Sequence, residues 1–152
     1  MAQAVLNLRR IILGSEHYRH EVSAAIGLGE TESQALSYLA VHGESGQSEL
    51  ARDLNLTSSA ATALVDRLER QGVAGRVQHP VDRRRFLIRL TARGEGMLRE
   101  SEGWLMATLS LFSPDDLERV SETLATIARD LSTRSSADPS EGGLDMPSAP
   151  PC

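Results

Sequence analysis

The chain contains no lysine; all sixteen of its basic residues are arginine. Arginine suits bidentate contacts to phosphate and to guanine edges. Here, however, lysine is missing from every surface alike, so biased codon composition explains the absence and no function follows from it. Cysteine is almost absent as well. The one thiol, Cys152, stands at the last position; alone it can close no internal disulfide, and nothing is expected there to activate it. A reducing, cytoplasmic setting is expected rather than a redox sensor. No apolar run approaches the ~20 residues that a bilayer-spanning helix needs. The apolar segment 5–13 is interrupted by Asn7, Arg9 and Arg10 and leads to no small-residue cleavage site, so neither a membrane span nor a secretory leader is expected. The chain also lacks a Gly-rich phosphate loop, a nucleophile motif and paired carboxylates in an apolar setting. Without these arrangements neither an enzyme nor a cofactor is expected. The 152 residues allow one domain, or one domain with an appendage.

What is present is a contrast of charge. The whole chain carries −5, which taken alone speaks against a nucleic-acid binder. Segment 58–93 holds eight arginines (67, 70, 76, 83, 84, 85, 89 and 93) against Asp66, Glu69 and Asp82, a balance of +5 that leaves −10 for the remainder. Such asymmetry gathers attraction for phosphate on one surface while the rest keeps the molecule soluble. A solvated charged face is the plain alternative, and the clustering of arginines around one turn argues against it.

That turn lies between two short strands expected at residues 73–78 and 85–90, and it carries Pro80, Asp82 and the run Arg83, Arg84, Arg85. A helix precedes it over Ser58–Gln71, capped by Thr57 and ended by a left-handed Gly72, with Ala61, Leu64, Val65 and Leu68 turned inward. Residues 47–54 read as another short helix, with Leu50, Ala51 and Leu54 inward. Two short helices joined at Asn55, Leu56 and Thr57 make a helix-turn-helix, and the strand pair adds a wing. The shape fits double-stranded DNA: the second helix enters a major groove while wing guanidinium groups reach the adjoining backbone or minor groove.

Long helices flank this unit. Residues 3–26 place Val5, Leu8, Ile12, Val22 and Ile26 at helical intervals, more apolar surface than a lone helix can hide. A capping box of Thr31 and Gln34 is expected to open a helix over 32–41 that buries Leu36, Leu39 and Ala40. Thr91 opens a further helix to about residue 112, with Leu98, Leu105, Leu109 and Phe112 along one stripe. Ser113, Pro114, Asp115 and Asp116 then start a last helix, whose Leu117, Val120, Leu124, Ile127 and Leu131 form a narrow seam suited to a second helix. From Thr133 onward Ser, Pro, Gly and acids dominate, and a disordered tail is expected. The fold class is mainly α with a small β component (α+β). A winged helix-turn-helix at 28–93 is flanked by dimerisation helices at 1–27 and 94–133, with a tail at 134–152. The terminal helices point to a homodimer; their pairing within one chain is the alternative.

The motifs Thr31-Glu-Ser-Gln34, Ser48-Glu-Leu-Ala51, Leu64-Val-Asp-Arg-Leu-Glu-Arg-Gln-Gly72, Asp82-Arg-Arg84 and Leu90-Thr-Ala-Arg-Gly94 together resemble the multiple antibiotic resistance regulator (MarR) family of bacterial transcription factors. The likeness runs from about Leu28 to Gly94. It implies a homodimer whose two winged domains read the halves of a palindrome, usually as a repressor. It further implies that helix 58–71 recognises bases and that Asp82 orients Arg84 by a charge-assisted hydrogen bond. Many relatives release DNA when a small aromatic, often phenolic, molecule binds between the dimer helices and the winged domain. Where the family often carries polar or basic residues this chain has Ala60 and Ala63. Readout is thus expected from Ser58, Ser59 and Thr62, with the alanines touching thymine methyls. Arg67, Arg70, Arg83, Arg84 and Arg85 are expected on the backbone or in the minor groove, where specificity is partly a matter of DNA shape.

For an aromatic effector the candidate lining residues are His17, Tyr18, Tyr38, Met97 and Trp104, each of which also suits an ordinary core. His17 and His20, three apart and flanked by Glu16 and Glu21, raise the alternative of a metal-responsive regulator, with His42 or an acid of the helix from Thr91 to Phe112 as a further ligand. No cysteine lies near them, and solvated or pocket-lining histidines are the reading adopted. The remaining alternative is a winged protein–protein module without DNA, which would not need a basic wing.

Overall fold

The side chains that helical spacing turns inward meet in one cluster. Leu36, Leu50, Leu64, Val65, Leu68, Val73 and Ile88 are each less than 2 % exposed. Each contributes ~1.5–3 kcal/mol by leaving water. The structure, a computed structural model, describes residues 1–136, apart from the side chains of Trp104 and of residues 134–136. Its elements run α1 (Ala2–Ile26), α2 (Glu30–His42), β1 (Ser45–Gly46), α3 (Gln47–Asp53), α4 (Ser58–Gln71), β2 (Ala74–Gln78), β3 (Phe86–Leu90), α5 (Ala92–Leu109) and α6 (Pro114–Ser136). The chain divides into two compact units, one of residues 1–105 and a second beginning at Met106. The core belongs to the first and draws on α2, α3, α4 and the sheet.

Local chemistry sets the ends of α4. The Thr57 hydroxyl accepts from the Ala60 amide at 3.2 Å, and Gly72 adopts φ 69°, which glycine tolerates without a Cβ penalty. The amides of Gly72 and Val73 bond back to the carbonyls of Glu69 and Leu68, closing the helix by a Schellman pattern. Because Val73 is used in this way, β2 begins one residue later than the sequence suggested. β3 likewise starts at Phe86 because the Arg85 amide is bonded to Asp82 O, inside the turn.

Four further differences from the sequence reading have physical causes. The sheet has three strands in the order β1-β3-β2, all antiparallel. β1 is two residues long, too short to leave a periodic signal, and pairs Ser45 with Ile88 and Gly46 with Leu87. The capping box at Thr31 does not form. α2 starts earlier with Gly29 as its N-cap, and acidic Glu30 and Glu32 occupy the first turn, where the helix dipole favours them. Ala40 is exposed, and Ala35 takes its place in the core. α5 stops at Leu109 because the amides of Leu111 and Phe112 turn to the tighter i−3 carbonyls.

α6 continues to Ser136, past the point where a tail was expected, since no proline or glycine interrupts it before Pro139. The rest of the expected tail, 137–152, lies outside the described residues. The start of α6 follows its sequence signature, with the Ser113 hydroxyl accepting from the Asp116 amide at 3.2 Å. Ser113 and Arg119 together hold the Asp116 carboxyl below its ordinary range. Both flanking helices carry apolar side chains outward. On α1, Val5, Leu6, Ile11, Ile12 and Leu13 are between 41 and 66 % exposed, and on α6 Leu117, Leu124 and Leu131 are between 38 and 46 % exposed. No described helix is long and apolar enough to cross a membrane.

Candidate nucleic-acid interface

α3 and α4 meet through a turn in which Asn55 takes a left-handed φ of 52°, and the Leu56 amide bonds to Ala51 O. The inward faces of both helices are locked in the core, so the outward face of α4 is presented rigidly. Ser58, Ser59, Thr62, Ala63, Asp66 and Arg70 are exposed on it, and Ala60 is half-buried. The hydroxyls are not all free. Ser59 Oγ lies 3.1 Å from Thr57 Oγ1, and Thr62 Oγ1 donates back to Ser58 O at 3.0 Å. Thr62 also accepts from Gln47 Nε2 at 2.8 Å, a partner on α3 that the sequence reading did not include.

The wing is a turn held by its own side chains. The His79 amide bonds to Arg85 O and so extends the β2–β3 ladder by one rung. His79 Nδ1 accepts from the amides of Val81 and Asp82 at 3.2 and 3.1 Å, which fixes the hydrogen of a neutral ring on Nε2. Asp82 Oδ1 accepts from the backbone amide of Arg84 at 3.1 Å. The contact implied for Asp82 is therefore different in kind. It orients the backbone that carries Arg84, as an aspartate does when it bonds two residues ahead, and makes no ion pair with the Arg84 guanidinium among the described residues. Arg83, Arg84 and Arg85 all remain exposed.

Ion pairs sort the eight arginines of this segment. Arg76 bridges Glu69 and Asp66, with Arg76 Nη2 2.8 Å from Asp66 Oδ1, and its amide bonds Glu69 Oε1 at 2.9 Å. This ties the wing to the last turns of α4. Arg89 pairs with Glu44 at 3.2 Å. Arg67, expected on phosphate, has another partner: its Nε donates to Glu32 Oε1 at 2.6 Å, and the Glu32 side chain is only 10 % exposed. A carboxylate so shielded from water must be paired, so Arg67 fastens α4 to α2. Arg70, Arg83, Arg84, Arg85 and Arg93 make no ion pair among the described residues. Three of these five stand together on the wing.

A separate cleft of ≈770 Å³ opens within the first unit, lined from α1, α2, the α3–α4 turn and α5. Tyr18 and Tyr38 both line it. Tyr18 donates to Ser101 O at 2.9 Å, and burial pushes its hydroxyl above the ordinary value. Tyr38 stacks on His42 with ring centroids 4.5 Å apart. Met97 instead packs against the core, and His17 is exposed on α1 and is not a lining residue. The Trp104 side chain lies outside the described residues. Leu98, Leu105, Val22 and Ile26 complete an apolar wall that the sequence reading had given to core and interface. His20 Nδ1 lies 3.0 Å from Glu30 Oε1, an acid from α2 that raises its pKa. Among the described residues no three His, Cys, Asp or Glu side chains gather as metal ligands.

Residues 28–86 match the model of the MarR family. The chain has the fold of a MarR family transcriptional regulator. Over 112 residues it is 28 % identical to YdgJ of Bacillus subtilis, an HTH-type transcriptional regulator, covering 71 % of this chain and 68 % of the relative. It is 30 % identical over 104 residues to a second HTH-type regulator of that organism, YfiV, covering 66 % and 65 %. Aligned lengths thus reach about two thirds of these relatives. Among solved structures, a MarR family protein from Bacillus stearothermophilus superposes with a TM-score of 0.66 at 25 % identity, covering 86 % of this chain and 94 % of that one. These likenesses support a DNA-binding transcriptional regulator rather than an enzyme.

Proposed function

We propose that this protein is a homodimeric repressor of the MarR type that binds an inverted-repeat operator and releases it when a small aromatic molecule enters the cleft beside Tyr18 and Tyr38. The observation that carries the DNA-contact part of the reading is the wing. Three arginines without acidic partners among the described residues sit on a turn braced by His79 and Asp82, beside a helix whose inner face is locked. In this reading α4 lies in the major groove, and Arg83, Arg84 and Arg85 meet phosphates or the minor groove. Arg70, late in α4, adds a backbone contact.

Dimerisation is supported by the apolar side chains that α1 and α6 leave in water, which a partner copy would cover. Sedimentation of the full-length protein at micromolar concentration is expected to give a dimer, and a monomer alone would refute that part. Release by ligand follows from linkage. A molecule that favours a spacing of the two winged domains mismatched to the grooves weakens DNA binding, and DNA weakens its binding by the same factor. Phenolic and other aromatic compounds are expected to raise the melting temperature and lower DNA affinity together. If no such compound does either, the protein is a constitutive regulator.

A further inference from the structure

The hydroxyl of Thr62, the residue of α4 best placed in sequence to read a base, is already occupied. Its single proton goes to Ser58 O at 3.0 Å, and one of its lone pairs receives Gln47 Nε2 at 2.8 Å. With the hydroxyl proton committed, Gln47 has to be the donor in that contact, which fixes which way round its carboxamide stands. Among the described residues Gln47 therefore keeps one N–H and its carbonyl oxygen unspent. Its backbone is equally constrained. β1 pairs with β3 just before it, and the preceding Gly46 amide donates to Glu49 Oε2 at 2.9 Å.

We propose that Gln47 is a specificity-determining residue that reads one base pair of each half-site with its free carboxamide edge, while Thr62 acts as its positioning residue. This rests on the reading of α4 as the helix in the major groove. A donor and an acceptor side by side match adenine N7 and N6 better than any other base edge in that groove. A threonine left with one lone pair distinguishes little. The small Ala60 and Ala63 leave that stretch of α4 without a long polar side chain, and the reach of Gln47 from α3 supplies one.

The test uses the full-length protein and a duplex that it selects, with each base pair of the site replaced in turn. Gln47→Ala is expected to lower discrimination at one base pair per half-site about tenfold or more, with other positions and the salt dependence as in the parent. Thr62→Val should weaken discrimination at that same base pair and add little in the double variant, since the two side chains act as one unit. Should Gln47→Ala melt well below the parent, Thr62→Val decides alone. A Gln47→Ala protein with the parent's preference at every position overturns the proposal. So does a uniform loss with a smaller salt slope, which places Gln47 on a phosphate. A parent that selects no sequence at all removes the DNA-binding reading as well, and that outcome is distinct because it concerns the parent alone.

Discussion

With Arg83, Arg84 and Arg85 all replaced by alanine, the protein is expected to bind DNA roughly a thousandfold or more weakly at moderate salt, and to bind all sequences more weakly. The cause is counterion release. Each phosphate neutralised by an arginine contributes about 0.9 to the slope of log affinity against log salt. Three contacts on each of two subunits would make the slope shallower by as much as ~5. Among the described residues these three have no acidic partner, whereas Arg67, Arg76 and Arg89 each do. Asp82→Ala should give a smaller loss, since the charges remain but the turn that aims them loses its bond to the Arg84 amide. The check is an affinity series across salt for the parent and both variants. A triple variant with the parent's affinity and slope would remove the wing from the interface.

The second large effect concerns the fold. Gly94→Ala is expected to destabilise the protein by roughly 3 kcal/mol, at the upper end of overpacking costs, lowering the melting temperature by about 10 °C. A Cβ at Gly94 would lie 2.0 Å from Val73 O and 3.0 Å from Val73 C. That carbonyl cannot retreat, because it also accepts from the Thr91 amide at 3.0 Å, while the Thr91 hydroxyl donates to Gly72 O at 2.6 Å. The end of α4, the start of β2 and the start of α5 are thus fastened at one point. Gly96 and Gly103 lie in the same helix, and a Cβ at either meets nothing closer than 3.9 Å. Alanine there should leave stability unchanged or raise it by up to ~1 kcal/mol. Thermal melts of the three single variants give the comparison, and equal melting for Gly94→Ala and Gly96→Ala would contradict the close approach.

What could be read from the sequence was what is encoded locally. The inward face of α4, its Thr57 cap, its Gly72 terminus and the arginine turn each depend on residues within a few positions of one another. What escaped depends on partners distant in sequence. Arg67 meets Glu32 across 35 positions, Arg89 meets Glu44 across 45, and β1 finds β3 only once the chain has folded back. The link between Gln47 and Thr62 spans 15 positions. Charge counted along the sequence therefore overstated the freedom of Arg67, Arg76 and Arg89. His79 stood in view beside the wing, yet its role is set by two backbone amides that no residue pattern announces. At Thr31 the sequence signature was present, but Gly29 takes the N-cap position and Glu32, in the first turn of α2, faces Arg67.

Selection of bound duplexes from random DNA by the full-length protein tests the central claim most directly. The account predicts enrichment of an inverted repeat whose half-site centres lie about one helical turn, ~10 base pairs, apart. Recovery of no sequence above the starting pool, or of a single asymmetric site, would contradict it.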